Sequence, residues 1–230
     1  MSKQSDLVSV SQGASGDPLF IDTVNDRIGI GTAAPQAPLH IEGEGLYVNR
    51  AAGDPYLIMD TSGGSTTAIY GGSSGVRAFT GGTERMRIDT AGRVTMPYQP
   101  AFRAVVNNES YLTTSPVPFG TTTLNVGNHF NTGTYTFTAP IAGVYFIFVG
   151  MYLRTDNNED AYPQLSINGV SVQYSYLYNL GNGGRIDNTV VVARIISLSA
   201  SDTVSVLFGG TGGEYFGGYR ETYFSGYLLG

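Results

Sequence analysis

The chain has 230 residues, a formal net charge of −6 and a pI near 4.8. This acidic balance excludes a nucleic-acid partner, which would require clustered Lys and Arg residues. The absence of cysteine excludes disulfide bonds, thiolate catalysis and cysteine-based zinc sites. The sequence has no apolar run of about 18 residues and no secretory leader, so we expect neither membrane insertion nor export.

The first segment of the chain, residues 1–26, is polar and contains Gly13, Gly16 and Pro18. A polar stretch with these residues buries little apolar surface and does not form a core of its own. We therefore predict that residues 1–26 are an attachment segment that docks onto a larger assembly.

Residues 27–98 consist of short apolar runs separated by glycine pairs and polar residues, without helical periodicity. Residues 27–32 with 39–41, and residues 84–89 with 94–96, are each typical of a β-strand, a turn and a second β-strand. Strands this short bury too little apolar surface in one copy to offset the loss of about 1–2 kcal/mol of backbone entropy per residue. Three copies would cover the apolar face and the open strand edges. The sequence therefore predicts a short trimeric β stalk, either intertwined or side by side.

Two phrases in this stalk region resemble segments of tail-fibre and other virion fibre proteins of tailed bacteriophages. They are RIGIGT, followed by two prolines and Leu39-His40-Ile41, and ERMRID, followed by Gly92-Arg93-Val94. In that class of protein such segments precede a receptor-binding head. A generic bacterial surface β-repeat is the alternative that these short phrases leave open.

Residues 99–230 contain most of the aromatic residues, because only six of the 16 Tyr and 11 Phe precede residue 99. Within this part, one set of residues follows a fixed spacing: Phe119, Asn125, Phe130, Phe137, Gly143 and Tyr145. This spacing resembles the signature of the globular head of the complement and tumour-necrosis-factor superfamily. Three further segments fit the same family: Pro100–Phe102, Ile167–Gly169 and Tyr223–Leu229.

The resemblance implies a ten-stranded jelly-roll head over residues 99–230, association as a homotrimer, and binding surfaces without catalytic machinery. Ile147 and Val149 depart from the family pattern, which prefers aromatic residues there. Both are β-formers, so we interpret them as repacking within the same fold.

Antiparallel alternation of the predicted head strands places every second connection at the same end. The Asn168-Gly169 hairpin and the 199–202 connection are predicted at the end near the stalk. The longer connections, 107–118, 154–162, 179–187 and 209–221, gather at the opposite end. Long loops on one rigid face are where binding sites usually lie.

These distal loops supply the candidate ligand-binding residues, which are Asp156, Asn157, Asn158, Glu159, Asp160, Tyr162, Arg185, Asp187, Glu214, Tyr215, Phe216, Tyr219 and Arg220. Tyr and Arg are enriched at binding hot spots, and aromatic faces stack on sugar rings. Phe216 and Tyr219 could instead pack at a trimer axis. Asp156, Glu159 and Asp160 are a weak calcium candidate, because calcium prefers carboxylate oxygens, whereas a solvated turn is the alternative.

Other residues give no support for catalysis. Tyr174, Tyr176 and Tyr178 alternate and are predicted on one strand face, in the core, at a subunit contact or as a ligand platform. The two histidines, His40 and His129, lie far apart in sequence, which argues against a histidine base or metal cluster. The chain is therefore predicted not to be an enzyme, although a carboxylate pair built across subunits, as in a glycan depolymerase, stays open.

Together these features predict a homotrimeric virion protein of the bacteriophage tail-fibre type, synthesised in the host cytoplasm and located on the particle surface. Its predicted partners are other virion proteins, through residues 1–26, and a host-surface glycan or protein, through the distal loops. The alternative is a structural virion component, such as a head decoration, that binds no receptor.

Overall fold

The computed structural model describes residues 19–42, 56–61, 65–107, 110–113, 115–180, 184–217 and 222–230. These residues form 21 β-strands, and none of them lies in an α-helix. The predicted all-β class is therefore confirmed. Within the described part, no helix is long and apolar enough to span a bilayer. Most of the predicted attachment segment, residues 1–18, lies outside the described residues.

The chain divides into two compact units: residues 1–83 with 88–93, and residues 84–87 with 94–230. The first contains a three-stranded sheet of β1 (Leu19–Asp22), β2 (Arg27–Ile30) and β3 (Leu39–Ile41). Asp22 Oδ1 accepts hydrogen bonds from the N–H groups of Val24 and Asn25 and so closes the β1–β2 turn. The β2–β3 pair is parallel, so the two predicted strands do not form a hairpin.

A second, five-stranded sheet follows in strict sequence order, with strands β4 (Tyr56–Thr61), β5 (Ser65–Gly72), β6 (Gly75–Thr80), β7 (Thr83–Ile88) and β8 (Val94–Thr95). Gly75 has a φ of +89°, and a Cβ on it would clash with the Ile88 carbonyl oxygen, so only glycine fits there.

The head, in the second unit, consists of two packed antiparallel sheets. The first sheet contains β9 (Ala101–Val105), β10 (Ser110–Leu112), β11 (Thr121–Val126), β14 (Gly143–Thr155), β18 (Ile186–Leu198), β20 (Glu214–Gly217) and β21 (Tyr223–Leu228). The second contains β12 (Phe130–Asn131), β13 (Thr136–Thr138), β15 (Asp160–Ile167), β16 (Val170–Tyr174), β17 (Leu177–Tyr178) and β19 (Thr203–Gly210). The described part of the head thus has thirteen strands rather than ten, because it includes very short ones such as β12 and β17.

Strand β14 is the centre of the first sheet. One edge of β14 pairs with β18 along its full length, and the other pairs with β21 and then with β20. Alternate residues of β14 are buried: Tyr145, Ile147, Val149, Met151 and Leu153. The two residues that depart from the family pattern, Ile147 and Val149, therefore fill the core as predicted.

An aromatic cluster joins the two sheets inside the head. The ring of Phe102 on β9 lies 4.6 Å from Phe137, 5.1 Å from Phe130 and 4.8 Å from Phe224, measured between centroids. All four rings are buried. Asn125 fixes the neighbouring turn, because its side chain donates to the Phe130 carbonyl and accepts from the Phe130 N–H. In the sequence signature, Phe130 and Phe137 are therefore core rings, and Asn125 fixes a turn.

The two short turns meet at one end of the head, as predicted, and we call this the turn end. Asn168 Nδ2 donates to Asp202 Oδ1 at 2.8 Å, and Asn168 Oδ1 accepts from the Thr203 N–H at 2.8 Å. Hydrogen bonds from Asn168 and from the Ser199 N–H hold the pKa of Asp202 below its ordinary value. The side chain of Asn168 therefore joins the β15–β16 hairpin to the turn before β19.

Replacing Asn168 with alanine is expected to lower the free energy of unfolding of the head by about 1–3 kcal/mol more than Asn128→Ala does. Both asparagines have a left-handed backbone, with φ of +50° for Asn168 and +58° for Asn128, so alanine strains both sites alike. Only Asn168 also loses the hydrogen bonds to Asp202 and Thr203. Urea unfolding followed by circular dichroism measures the difference, and equal losses would contradict this role.

Candidate binding surfaces

The opposite end of the head carries the residues that the sequence singled out. We call this the loop end and define it by residues 154–160, by Asn179 with residues 184–187, and by residues 209–213. The Asn158 N–H donates to the Asn179 carbonyl, and the Asn179 N–H donates to the Glu159 carbonyl. Asn179 Nδ2 donates to the Gly184 carbonyl at 2.6 Å, and the Gly184 N–H donates to Asn157 Oδ1. Buried Asn179 therefore holds two of the predicted loops together.

Charged residues at the loop end pair with one another. Arg154 Nε lies 2.9 Å from Asp187 Oδ1, and Arg185 Nε lies 3.3 Å from Asp187 Oδ2. Asp160 Oδ1 accepts from both the N–H and the hydroxyl of Thr211. The structure thus places Arg185, Asp187 and Asp160 in the predicted region, with their charged groups already bonded within the chain.

The three carboxylates of the calcium candidate do not converge on one point. Glu159 Oε2 accepts from the Asp156 N–H at 2.9 Å and so closes its own turn, whereas Asp160 bonds to Thr211. Among the described residues, no group of three or more His, Cys, Asp or Glu side chains is placed to hold a metal ion. Although Asp156, Glu159 and Asp160 are close in sequence, they do not form one set of ligands, because Asp160 lies in strand β15.

The predicted loop at 214–220 begins as a strand, and this corrects the expectation for Tyr215. Residues Glu214–Gly217 form β20, which pairs with β10 and β14. Tyr215 is fully buried, with its ring 4.9 Å from that of Phe208, so it is a core residue and cannot contact a ligand in this fold. Tyr219 and Arg220 lie outside the described residues.

Phe216 points to the other side of β20 and belongs to a partly exposed aromatic surface on the first sheet. Its register partner is Tyr152, one of the β14 residues that alternate with the buried ones. We define the aromatic face as the outward rings of Phe146, Phe148, Tyr152, Phe216, Tyr223 and Tyr227.

The rings of the aromatic face are arranged closely. Phe148 stacks on Tyr223 at 5.7 Å with an interplanar angle of 15°, and Phe146 lies 5.7 Å from Tyr227. Tyr223 lies over Gly150, where a Cβ would come within 2.6 Å of its ring. Exposed aliphatic residues extend the surface along β18, notably Ile195, which is 65% exposed. Sequence reasoning missed this face, although the alternating apolar residues at even positions of β14 could have indicated it.

A second aromatic group lies on the second sheet, and we call it the tyrosine cluster. It consists of Tyr162, Tyr174 and Tyr176, with ring centroids 4.4 to 6.0 Å apart. Tyr174 and Tyr176 are 55% and 52% exposed, so of the three predicted locations the core is wrong, and a subunit contact or a ligand platform remains. The predicted single strand breaks between Tyr174 and Leu177, and among the described residues the Tyr178 ring makes no contact with the rings of the cluster.

A shallow cavity of about 270 Å³ also opens at the loop end. Its lining consists of Thr113, Phe208, Gly209, Gly210, Thr211, Gly212 and Gly213. The absence of side chains at four of these positions exposes backbone groups and creates the space. Among the described residues its lining offers backbone groups and the hydroxyls of Thr113 and Thr211 for hydrogen bonding.

Comparison with known proteins places the head among familiar folds. Residues 101–229 match the C1q domain family. The globular domain of the zebrafish complement 1qA protein is similar, with 20% identity, a TM-score of 0.42, and coverage of 57% of this chain and 98% of that chain. The Eiger TNF from S. frugiperda is similar at 11% identity and a TM-score of 0.46, covering 57% of this chain and 93% of that chain. No curated protein matches the chain.

Proposed function

Because this chain belongs to the C1q domain family over residues 101–229, we propose that it is a homotrimeric, non-enzymatic attachment protein of a virion. In this proposal it is of the bacteriophage tail-fibre type, and its head binds a host-surface glycan or protein. The observation that carries the proposal is a head with two separate surfaces: a partly exposed aromatic face and a loop end whose described residues are joined by hydrogen bonds.

The aromatic face supports the trimer. Soluble monomers rarely expose a contiguous set of large rings, and such patches mark association surfaces. Six aromatic side chains lie on one side of the first sheet, and Arg103 places its guanidinium 5.1 Å from the centre of the Tyr223 ring. Arg and aromatic residues are enriched in subunit interfaces. Three copies packed through this face would remove it from water.

The loop end supports binding to a partner on a surface. Among the described residues, bonds from Asn179 to the Gly184 carbonyl and from the Gly184 N–H to Asn157 join two of its segments, and such preorganisation lowers the entropic cost of binding. A trimer presents three such ends in one direction. Even a weak single contact then gains about 100-fold or more in avidity.

The placement on a virion is supported by the two phrases in residues 27–96 that resemble bacteriophage fibre stalks. In this proposal residues 1–26 dock onto other virion proteins, and the chain is made in the host cytoplasm. Calcium would bind only if the acidic residues Asp156, Glu159 and Asp160 rearranged from the bonds described above.

A second candidate is a structural virion component that binds no receptor. The internal pairing at the loop end favours it, because Asp187 already forms ion pairs with both Arg154 and Arg185. Such pairing is what a surface without a charged ligand would show.

Binding of the labelled, purified protein to a panel of bacterial strains distinguishes the two candidates. We expect binding to at least one strain and a loss of about tenfold or more in the double variant Asp156→Ala/Arg185→Ala, which removes two side chains from the loop end. Val170→Ser, at an exposed position of β16 beside the turn end, is the matched control and should bind as the parent does. A trimer that binds no strain would support the structural candidate, whereas a monomer would overturn the proposal.

A further inference from the structure

The tyrosine cluster combines exposed rings with a rigid base. The Tyr162 ring lies over Gly209 of the neighbouring strand β19, where a Cβ would come within 2.7 Å of the ring. Tyr176 lies 4.4 Å from Tyr162, and Tyr174 lies 5.1 Å from Tyr176. The rings are inclined by 53° to 75° to one another, so they do not stack face to face. About half of the surface of Tyr174 and of Tyr176 stays open to solvent.

Hydrogen-bonding groups flank these rings. Gln164 follows Tyr162 on the outward side of β15, and its Oε1 accepts from the Ser171 hydroxyl at 2.7 Å. That bond orients the amide and leaves its nitrogen to donate, since within the described part of the chain no acceptor bonds to Gln164 Nε2. The amide nitrogen also lies beside Gly209, within 2.7 Å of the position that a Cβ there would take. A donor is therefore fixed next to the Tyr162 ring.

The charged groups beside the cluster are bonded to other parts of the chain. Asp160, whose carboxylate acts on Tyr176, accepts two bonds from Thr211 through Oδ1. Arg194 donates to the Val172 carbonyl on β16. Partial desolvation, with smaller effects of Tyr162, Tyr174 and Asp160, raises the pKa of Tyr176 above its ordinary value. A surface of neutral rings, hydroxyls and an amide favours an uncharged partner that has both apolar and hydroxyl groups.

We propose that the tyrosine cluster is a binding site for a neutral saccharide, lying on the second sheet beside the loop end. One face of a pyranose ring carries C–H bonds with partial positive charge, which suit the negative face of a tyrosine ring. The hydroxyl groups at the edge of the sugar match Gln164 Nε2 and the phenol hydroxyls. This inference rests on the attachment function proposed above, because it names the class of ligand that the head recognises.

Saturation-transfer NMR tests the site with three probes, the methyl glycosides of glucose, galactose and mannose, on the full chain. We expect transfer to at least one of them, through the C–H protons of one ring face. Tyr176→Ala and Tyr174→Ala should each weaken binding about tenfold or more, because each removes a stacking ring. Tyr176→Phe should change it by less than about threefold, since the ring remains. The chain has no tryptophan, so quenching of tyrosine fluorescence gives an independent titration.

Tyr178→Ala is the matched control, because Tyr178 is 57% exposed and close in sequence but outside the cluster. This variant should bind like the parent. Absence of transfer from all three probes, or equal losses in Tyr178→Ala and Tyr176→Ala, would overturn the site. A fall in trimer mass on Tyr176→Ala would also overturn it, because the cluster would then be a subunit contact. Binding to cells is measured separately, so the attachment function can fail while saccharide binding stands, and the reverse.

Discussion

Replacing Phe148 with aspartate is expected to leave the head folded and to convert the proposed trimer into monomers. Phe148 lies on the outward side of β14, stacked on Tyr223 at 5.7 Å, and fills no part of the head core. In a trimer packed through the aromatic face, each aspartate would be buried without a partner. An uncompensated buried charge costs about 3–5 kcal/mol, and each of the three subunits would contribute one.

Light scattering measures the outcome directly as the mass of one chain instead of three. Circular dichroism should show unchanged β-structure, and the melting temperature of the parent, but not of the variant, should rise with protein concentration. Val170→Asp adds the same charge at an exposed position on the second sheet and should stay trimeric. A Phe148→Asp protein that keeps the parental mass, or a parent that is itself a monomer or a dyad-related dimer, would contradict this interface.

The sequence was most informative where residues must pack in a fixed order. The spacing from Phe119 to Tyr145 predicted the head, and the family match over residues 101–229 confirms it. That spacing carries information because its positions have defined structural roles. Phe130 and Phe137 enter the ring cluster, and Asn125 clamps a turn. Turn geometry was equally predictable, since Asn168-Gly169 adopts the left-handed pair that its composition favours.

The sequence was least informative where burial depends on distant partners. Glycine pairs flank Glu214–Phe216, and this punctuation is typical of a loop. The segment becomes a strand because β10 and β14 pair with it from positions about 60 to 105 residues away, which no local pattern records. Tyr215 therefore moves from a predicted binding loop to the core.

The tyrosine residues show a third kind of limit. Period-two alternation correctly kept Tyr174 and Tyr176 together, yet it assumed one unbroken strand to Tyr178. The strand ends at Tyr174, where the Ser175 N–H donates to the Pro163 carbonyl at 3.4 Å. Tyr162 then joins from the neighbouring strand β15. Which residues of two strands lie side by side depends on the register of their pairing. That register is set by the whole sheet, so the local sequence did not predict the cluster.

Truncation of Phe102 to alanine is expected to lower the free energy of unfolding of the head by about 3–5 kcal/mol. The removed ring contacts Phe130, Phe137 and Phe224, so the cavity would lie between the two sheets. Gly226 adds to the cavity, because it has no side chain to fill the space that the Phe102 ring occupies beside its backbone. Urea unfolding at one fixed protein concentration measures the loss.

Phe102→Leu serves as the matched control and should cost less than about 1.5 kcal/mol, because leucine retains most of the apolar volume. A loss no larger than that of the surface variant Tyr178→Ala would show that the cluster does not hold the sheets together.

The core variant and the interface variant should also differ in whether they change folding or association. Phe102→Ala destabilises each subunit and weakens association as a consequence, since the adjacent Arg103 faces Tyr223 on the aromatic face. Phe148→Asp, in contrast, removes association first and leaves the stability of the isolated head nearly unchanged, so the two variants separate folding from assembly.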